Sequence, residues 1–317
     1  MQSAIAENIV FSSRLFLDIT SIDSETIIAV GERGSIAKKN INQDWQLIES
    51  PTDLTLTAVY SDNPTSVWAV GHQGIILHSL DGGNSWQVSF KADVNSPFMD
   101  ILFFNSNQGI AVGAYGLFYR TTDAGQTWQK EVHAGILSED DQIYLEEVKQ
   151  DSPDMYQEEV SALQPHLNRL AQLDAKRLIL VGELGLLALS QDNGKSWDRM
   201  KDVYIGSFFG VEAEQEVILT GLRGHVFTST SENLDNWQAI SVSEPVNINS
   251  AIYLDNSRWL LVGNSQTLWL WHAKQKAALP VGKVTHKAIL NGAILGELIW
   301  LVGAQGIEAI AKPSIQG

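Results

Sequence analysis

The chain has 317 residues, of which 44% are hydrophobic and 18% charged, and its formal net charge is −16; this composition excludes disorder and disfavours binding to phosphate backbones or anionic lipid surfaces. It contains no cysteine, which excludes disulfides, thiolate metal sites and a cysteine nucleophile. We therefore expect a globular monomer that binds no nucleic acid, inserts into no membrane and needs no cofactor.

The first residues contain a small-x-small motif, Ala4-Ile5-Ala6, of the kind that signal peptidases cleave. No apolar run in the chain approaches the roughly 18 to 20 residues that span a bilayer. We expect an exported, periplasmic protein, with a cytoplasmic location as the alternative.

An apolar strand that ends in glycine recurs seven times along the chain. The successive steps between these glycines are 40, 42, 69, 39, 42 and 40 residues, so a single period of about 40 with one insertion covers the sequence. The repeated glycines are Gly31, Gly71, Gly113, Gly182, Gly221, Gly263 and Gly303. A period of this length indicates a repeat architecture.

Each repeat has the pattern of four short strands. In the second repeat these are residues 56–60, 67–70, 75–79 and 86–90, and the second of them is apolar at consecutive positions. Such a strand needs cover on both faces of its sheet, which radially stacked sheets provide. We predict an all-β fold, a seven-bladed β-propeller of four-stranded antiparallel blades, formed as one domain by residues 1–317.

The last repeat lacks its fourth strand, whereas a spare apolar segment, Ile9-Val10-Phe11, precedes the first repeat. We predict that this N-terminal segment supplies the missing outer strand of the last blade, which closes the ring and removes an exposed sheet edge.

Three repeats carry the pattern Ser/Thr-x-Asp-x-Gly-x-Ser/Thr-Trp, known as the Asp box or BNR repeat, between the third and fourth strands. Aspartate accepts turn N–H groups, glycine permits positive φ and tryptophan buries a large ring. We interpret these residues as structural rather than catalytic or calcium-binding. They are Asp81, Gly83 and Trp86; Asp123, Gly125 and Trp128; and Asp192, Gly194 and Trp197.

The turns between the second and third strands should all emerge on the face opposite the Asp boxes, around the mouth of the central channel. No helix or suitably placed lysine follows their glycines, so they are turns rather than phosphate-binding loops. Their central residues are our candidate partner-binding rim. The rim residues are Glu32, Arg33, His72, Gln73, Tyr115, Glu183, Arg223, Asn264 and Gln305.

The long step of 69 residues places an insertion, residues 139–163, between the third and fourth blades on the same face as the rim. Ser138 and Ser152-Pro153 are start signals for two helices. Residues 139–159 contain nine acidic residues and one lysine, a net charge of −8. The insertion is either a solvated acidic lid or a docking element for a basic partner. Its acidic residues do not have the spacing of an EF-hand calcium-binding loop, which disfavours a metal site. Its candidate docking residues are Tyr144, Glu146, Glu147, Tyr156, Glu158 and Glu159.

The repeated Ala-Val-Gly-x-x-Gly and the following Ser-x-Asp-Gly-Gly-x-Ser-Trp resemble the photosystem II stability and assembly factors, including their relatives in non-photosynthetic bacteria. The resemblance implies a seven-bladed propeller, usually exported, that binds a membrane-protein assembly intermediate and catalyses no reaction. Photosynthetic members have an arginine patch for partner contact, whereas this chain has eight scattered arginines and an acidic insertion without a counterpart in them. We place the chain in the non-photosynthetic bacterial branch.

We therefore predict a non-catalytic protein-interaction scaffold that assists assembly or stability of a membrane-protein complex. One alternative is a carbohydrate-binding propeller with rim aromatics such as Tyr115 as a stacking platform. Another is a sialidase-like glycosidase, which needs an arginine cluster and a tyrosine–glutamate pair. Only Arg33, Arg223 and Tyr115 offer such groups, and the Phe/Tyr-Arg-Ile-Pro motif of sialidases is absent.

Overall fold

A computed structural model describes residues 7–61 and 63–313; the Ala4-Ile5-Ala6 motif lies outside the described residues. The described chain forms seven four-stranded antiparallel sheets, which follow one another in sequence. The predicted seven-bladed propeller is confirmed. Among the described helices, none is long and apolar enough to cross a membrane.

The four strands of each blade run in chain order from the channel to the outer edge, with the exception of the last blade. The innermost strands are Phe16–Ser21, Leu56–Ser61, Phe98–Phe103, Leu167–Gln172, Phe208–Ala213, Ile248–Asp255 and Ile289–Leu295. The second strands are Thr26–Gly31, Val67–Gly71, Gly109–Gly113, Leu178–Gly182, Glu216–Gly221, Arg258–Gly263 and Leu298–Gly303. The third strands are Ile36–Asn40, Ile75–Ser79, Phe118–Thr121, Leu187–Ser190, Val226–Thr230, Thr267–His272 and Gly306–Ala311. The outer strands are Gln46–Ile48, Gln87–Lys91, Gln129–Lys130, Asp198–Arg199, Gln238–Ile240, Leu279–Lys283 and, in the last blade, Glu7–Val10.

The N-terminal strand closes the ring as predicted. Glu7–Val10 pairs antiparallel with Gly306–Ala311, with Val10 opposite Ile307. The strand ends one residue earlier than predicted, because Phe11 adopts a positive φ of 54° in the turn that leads to the first blade.

Hydrophobic cores lie between neighbouring blades, which explains why the second strands are apolar at consecutive positions. In Val67–Gly71 every residue is buried. Trp68 packs with Phe98 and Trp128 of the third blade, whereas Ala69 belongs to the cluster that joins the first and second blades. Both faces of the strand are therefore covered by protein.

The Asp boxes form the predicted turns between third and outer strands. Asp81 accepts the N–H and hydroxyl of Ser85 at 2.9 and 2.6 Å, and these bonds lower its pKa to about 2. Gly125 has a φ of 76°, and a Cβ there would lie 2.2 Å from the Trp68 ring of the preceding blade. The glycines of the boxes in the second and fourth blades, Gly83 and Gly194, likewise lie against Ile28 and Ile110 of the preceding blade, so the turns hold adjacent blades together.

The insertion contains helix α1, Glu139–Asp151, and helix α2, Tyr156–Ala162, joined by the short turn Pro153–Met155. Ser138 caps α1 by accepting the N–H of Asp141 at 3.2 Å. Leu137, Leu145 and Val160 form a small core beneath the helices. The chain leaving α2 contacts the third blade, since Gly116 donates its N–H to Pro165 at 2.9 Å.

Candidate functional site

The rim turns share one backbone conformation in five of the seven blades. The second residue of each of these turns is in the left-handed region although it is not glycine, with φ between 53° and 56°. This conformation is uncommon for such residues. These residues are Arg33, Gln73, Tyr115, Leu184 and Arg223.

The side chains at the second turn position point into solvent. Tyr115 is 70% exposed and stacks edge-on against His166 at 4.5 Å. Arg33, Gln73 and Arg223 at the same position are also exposed, as are His72 and Asn264 at the first turn position. These exposed side chains are accessible to a partner on this face.

Two predicted rim residues also have a structural role. Glu32 accepts the N–H of Leu15 at 3.1 Å, and Glu183 accepts the N–H of His166 at 2.8 Å. In both cases the carboxylate satisfies the backbone where the chain enters an innermost strand. Gln305 is half-buried, and its side-chain oxygen has no hydrogen-bond partner among the described residues.

The mouth of the channel on this face is a cavity of about 370 Å³, hereafter the mouth cavity. Each innermost strand contains a β-bulge near its start, and bulges redirect side chains. All seven bulge residues line the mouth cavity: Leu17, Thr57, Met99, Asn168, Phe209, Asn249 and Leu290. Of the predicted rim residues, Glu183 lines it too.

The residue after each bulge forms a second ring, hereafter the channel ring: Asp18, Ala58, Asp100, Arg169, Gly210, Ser250 and Asn291. Arg169 bridges Asp18 and Asp100, each at 3.1 Å. Asp100 also accepts the N–H of Leu170 at 2.7 Å, and Asp18 that of Val59 at 2.9 Å. The ring thus links blades across the axis, and its Arg169 also lines the mouth cavity, where it forms the floor.

Below the channel ring lies a second cavity of about 480 Å³, which includes Glu212. Burial, together with the negative charges of Asp100 and Asp18, outweighs the attraction of Arg169 and raises the pKa of Glu212 to about 8. Burial also raises the pKa of Asp100, against the opposing effects of Arg169 and backbone N–H groups. At neutral pH, Glu212 is therefore largely protonated.

We expect the stability of the protein to fall between about pH 5 and pH 8 because of Glu212. The folded protein keeps a proton up to a pKa of about 8, whereas the unfolded chain loses it near 4.5, so the free energy of unfolding decreases as pH rises through this window. Glu212→Gln should remove on the order of 2 kcal/mol of that decrease, less than full linkage because the residue is only partly buried. Urea titrations of the wild type and the variant at pH 5 and 8.5 measure this change in the free energy of unfolding. Glu214→Gln is the control, and an equal pH effect in both variants would contradict the assignment.

The outer surface of the insertion is acidic and carries exposed apolar groups. Glu146, Glu147 and Glu158 are exposed, and Lys149 lies 3.6 Å from Glu146. Tyr144 is 43% exposed and donates its hydroxyl to Glu159 at 3.2 Å, which raises the pKa of Tyr144. Tyr156 is half-buried against the small core of the insertion, and Lys149 lies 5.7 Å above its ring. Ile143 and Met155, which were not among the predicted docking residues, are 56% and 49% exposed.

The groups that a glycosidase needs are not brought together. Arg33, Tyr115 and Arg223 lie on turns of the first, third and fifth blades, and the arginine in the channel, Arg169, is paired with two aspartates. Within residues 7–61 and 63–313, no cluster of three or more His, Asp or Glu side chains is arranged to hold a metal ion.

The mouth cavity and the channel ring were not predicted from the sequence. The channel-ring residues nevertheless occupy a fixed position in each repeat. Each one pairs across the sheet with the residue before the repeated glycine, as Asp18 does with Val30 and Arg169 with Val181. Aligning the repeats on their glycines therefore finds the ring, but only once the bulge is known.

Residues 37–133 match the family model described as Photosynthesis system II assembly factor YCF48. The predicted family resemblance is confirmed. A search of curated proteins found no match.

Solved structures with the same fold include a structure titled YCF48 bound to D1 peptide, with a TM-score of 0.72 and 16% identity over 99% of both chains. YCF48 from Cyanidioschyzon merolae has a TM-score of 0.72 and 13% identity over 98% of both chains. The WD40 propeller domain of Doa1 has a TM-score of 0.69 and 10% identity, over 99% of this chain and 97% of that one. Because 1444 chains of solved structures match, the propeller shape alone selects no function.

Proposed function

We propose that this protein is a non-catalytic scaffold that binds a segment of a protein partner on its rim face and assists assembly or stability of a membrane-protein complex. The observation that carries the proposal is the match of residues 37–133 to the assembly-factor family. A propeller of the same fold has been solved with a peptide bound, which supports protein binding as the mode of action.

The rim face offers the surface for such a partner. Exposed side chains on five blades surround the mouth cavity, and the acidic insertion stands beside them on the third and fourth blades. The net charge of −8 in residues 139–159 favours a basic partner segment, because complementary charge speeds encounter and suppresses wrong partners. We therefore assign the insertion a docking role.

The chain differs from photosynthetic members in its scattered arginines and in the insertion, so we assign it to the non-photosynthetic bacterial branch. For this branch we propose that the protein acts as a monomer in the periplasm, where it meets membrane proteins during their assembly; a cytoplasmic location is the alternative.

We expect the wild-type protein to capture an integral membrane protein from detergent-solubilised native membranes, and removal of insertion charge to weaken this capture. A triple variant with Glu146, Glu147 and Glu158 changed to Gln should recover about fivefold less partner, since charges at an interface contribute modestly but together. Quantitative mass spectrometry of the eluates measures the effect.

The control variant changes three exposed glutamates on the opposite face, Glu25, Glu232 and Glu297, to Gln, and should recover as much partner as the wild type. Failure of the wild-type protein to capture any membrane protein would contradict the scaffold proposal. Equal loss in both triple variants would contradict the docking role of the insertion.

A further inference from the structure

The mouth cavity has a composition that selects its ligand. Three of its seven bulge residues are polar, and each donates to a backbone carbonyl of the next blade. Thr57 donates to Phe98 at 2.6 Å, Asn168 to Phe208 at 2.7 Å, and Asn249 to Ile289 at 2.7 Å. These donors are therefore engaged within the ring of blades.

The floor of the mouth cavity offers no free positive charge. Arg169 lines the cavity, but its guanidinium bonds both Asp18 and Asp100. A carboxylate or phosphate that entered would meet a cation that Asp18 and Asp100 already neutralise, and it would lie near the Glu183 carboxylate, which also lines the cavity. The floor therefore disfavours an anionic ligand.

The remaining bulge residues present carbon surface. Leu17, Met99, Phe209 and Leu290 come from the first, third, fifth and seventh blades, and each is only partly buried. They surround a volume of about 370 Å³, within the range of pockets that hold organic ligands. Burial of an apolar group against them is favourable by roughly 25 cal/mol per Å².

The chain on one side of the mouth cavity connects it to the acidic insertion. Helix α2 ends at Ala162, and four residues later His166 lines the cavity beside Glu183. Tyr115, which packs against His166, extends this wall toward solvent. A peptide anchored in the cavity would therefore pass close to a surface with a net charge of −8.

We propose that the mouth cavity is an anchor pocket for one bulky apolar side chain of a protein partner, flanked in the partner's sequence by lysine or arginine residues that face the insertion. This rests on the proposed function as a protein-binding scaffold and names the chemistry of the bound segment. The apolar bulge residues bind the anchor, and the insertion selects its basic flank.

Selection of a phage library of random twelve-residue peptides on the immobilised wild-type protein tests the proposal. We expect enriched peptides to contain a Phe, Trp, Leu or Met with basic neighbours. A synthetic, fluorescein-labelled copy of the most enriched peptide then gives dissociation constants by anisotropy. Leu290→Arg and Met99→Arg should each weaken its binding at least tenfold, since either places a charge among apolar walls.

Leu80→Arg is the matched control, because Leu80 is 67% exposed in an Asp-box turn on the opposite face. It should bind the peptide like the wild type, and melting curves confirm that all three variants fold. Enrichment of acidic peptides, absence of an enriched motif, or unchanged binding in Leu290→Arg would each overturn the anchor pocket. Capture of a membrane partner that Leu290→Arg leaves unchanged would refute the pocket alone, whereas peptide binding without any captured membrane partner would refute the proposed function alone.

Discussion

Arg169→Met should destabilise the protein by about 3 to 5 kcal/mol, the usual effect of removing one partner from a buried ion pair. Arg169 is the single cation that faces Asp18, Asp100 and Glu212 in the described part of the channel. Its loss leaves the Asp18 and Asp100 carboxylates, which share the channel with Glu212, to repel one another without a compensating cation. For a chain of this length the melting temperature should fall by roughly 5 to 10 °C.

The effect should also depend on pH. Protonation of the uncompensated carboxyl groups removes their repulsion, so the gap between wild type and Arg169→Met should narrow from pH 8 to pH 5. Arg177→Met is the control, because Arg177 pairs with Asp174 near the surface, where such pairs contribute about 1 kcal/mol or less. Melting curves at both pH values measure this, and equal losses in the two variants would contradict a special role for Arg169.

The fold was predictable because the repeat imposes the same local chemistry in every blade. The second strand of each blade is apolar at consecutive positions and ends in glycine, as in Val67–Gly71, and only stacked sheets can cover such a strand on both faces. The missing outer strand of the last repeat likewise required a partner, which Glu7–Val10 supplies. The helices of the insertion were marked by the cap at Ser138 and by Pro153.

The channel was not predictable in the same way, because it is built by bulges. In a regular strand the side chain of Leu17 would lie on the face of the sheet opposite those of Phe16 and Asp18, so the sequence predicts nothing special for it. The bulge instead directs Leu17 into the mouth cavity. A bulge changes the backbone register without a distinctive residue type. The channel ring also varies from blade to blade, with Asp100 and Ala58 at matching positions, so repeat similarity does not reveal it.

The rim residues were predictable in part, less fully than the fold but better than the channel. Turn chemistry correctly located Tyr115 and Arg223 on exposed turns. It did not show that Glu32 and Glu183 also accept backbone N–H groups of the chain entering an innermost strand. That contact joins residues 17 apart in sequence and depends on how the turn folds over the strand beside it.

Deletion of residues 1–12 should lower the melting temperature by at least about 5 °C. The deletion removes Glu7–Val10 from its ladder with Gly306–Ala311, and it removes Phe11, whose ring lies 5.9 Å from Phe16 in the core that joins the last blade to the first. Lost ladder bonds at about 1 kcal/mol each and a partly buried phenyl ring at about 1.5 kcal/mol give roughly 3 kcal/mol or more.

The deletion also creates a sheet edge. Gly306–Ala311 would lose its outer neighbour, and the backbone groups that face this neighbour would be left unpaired. Exposed edges pair with other chains, so the shortened protein should aggregate on heating and elute partly as oligomers in size-exclusion chromatography. Deletion of residues 1–6 alone leaves the strand intact and serves as the control. If both deletions melt at the same temperature and remain monomeric, the N-terminal strand does not stabilise the ring, and the other contacts between the first and last blades suffice to hold it closed.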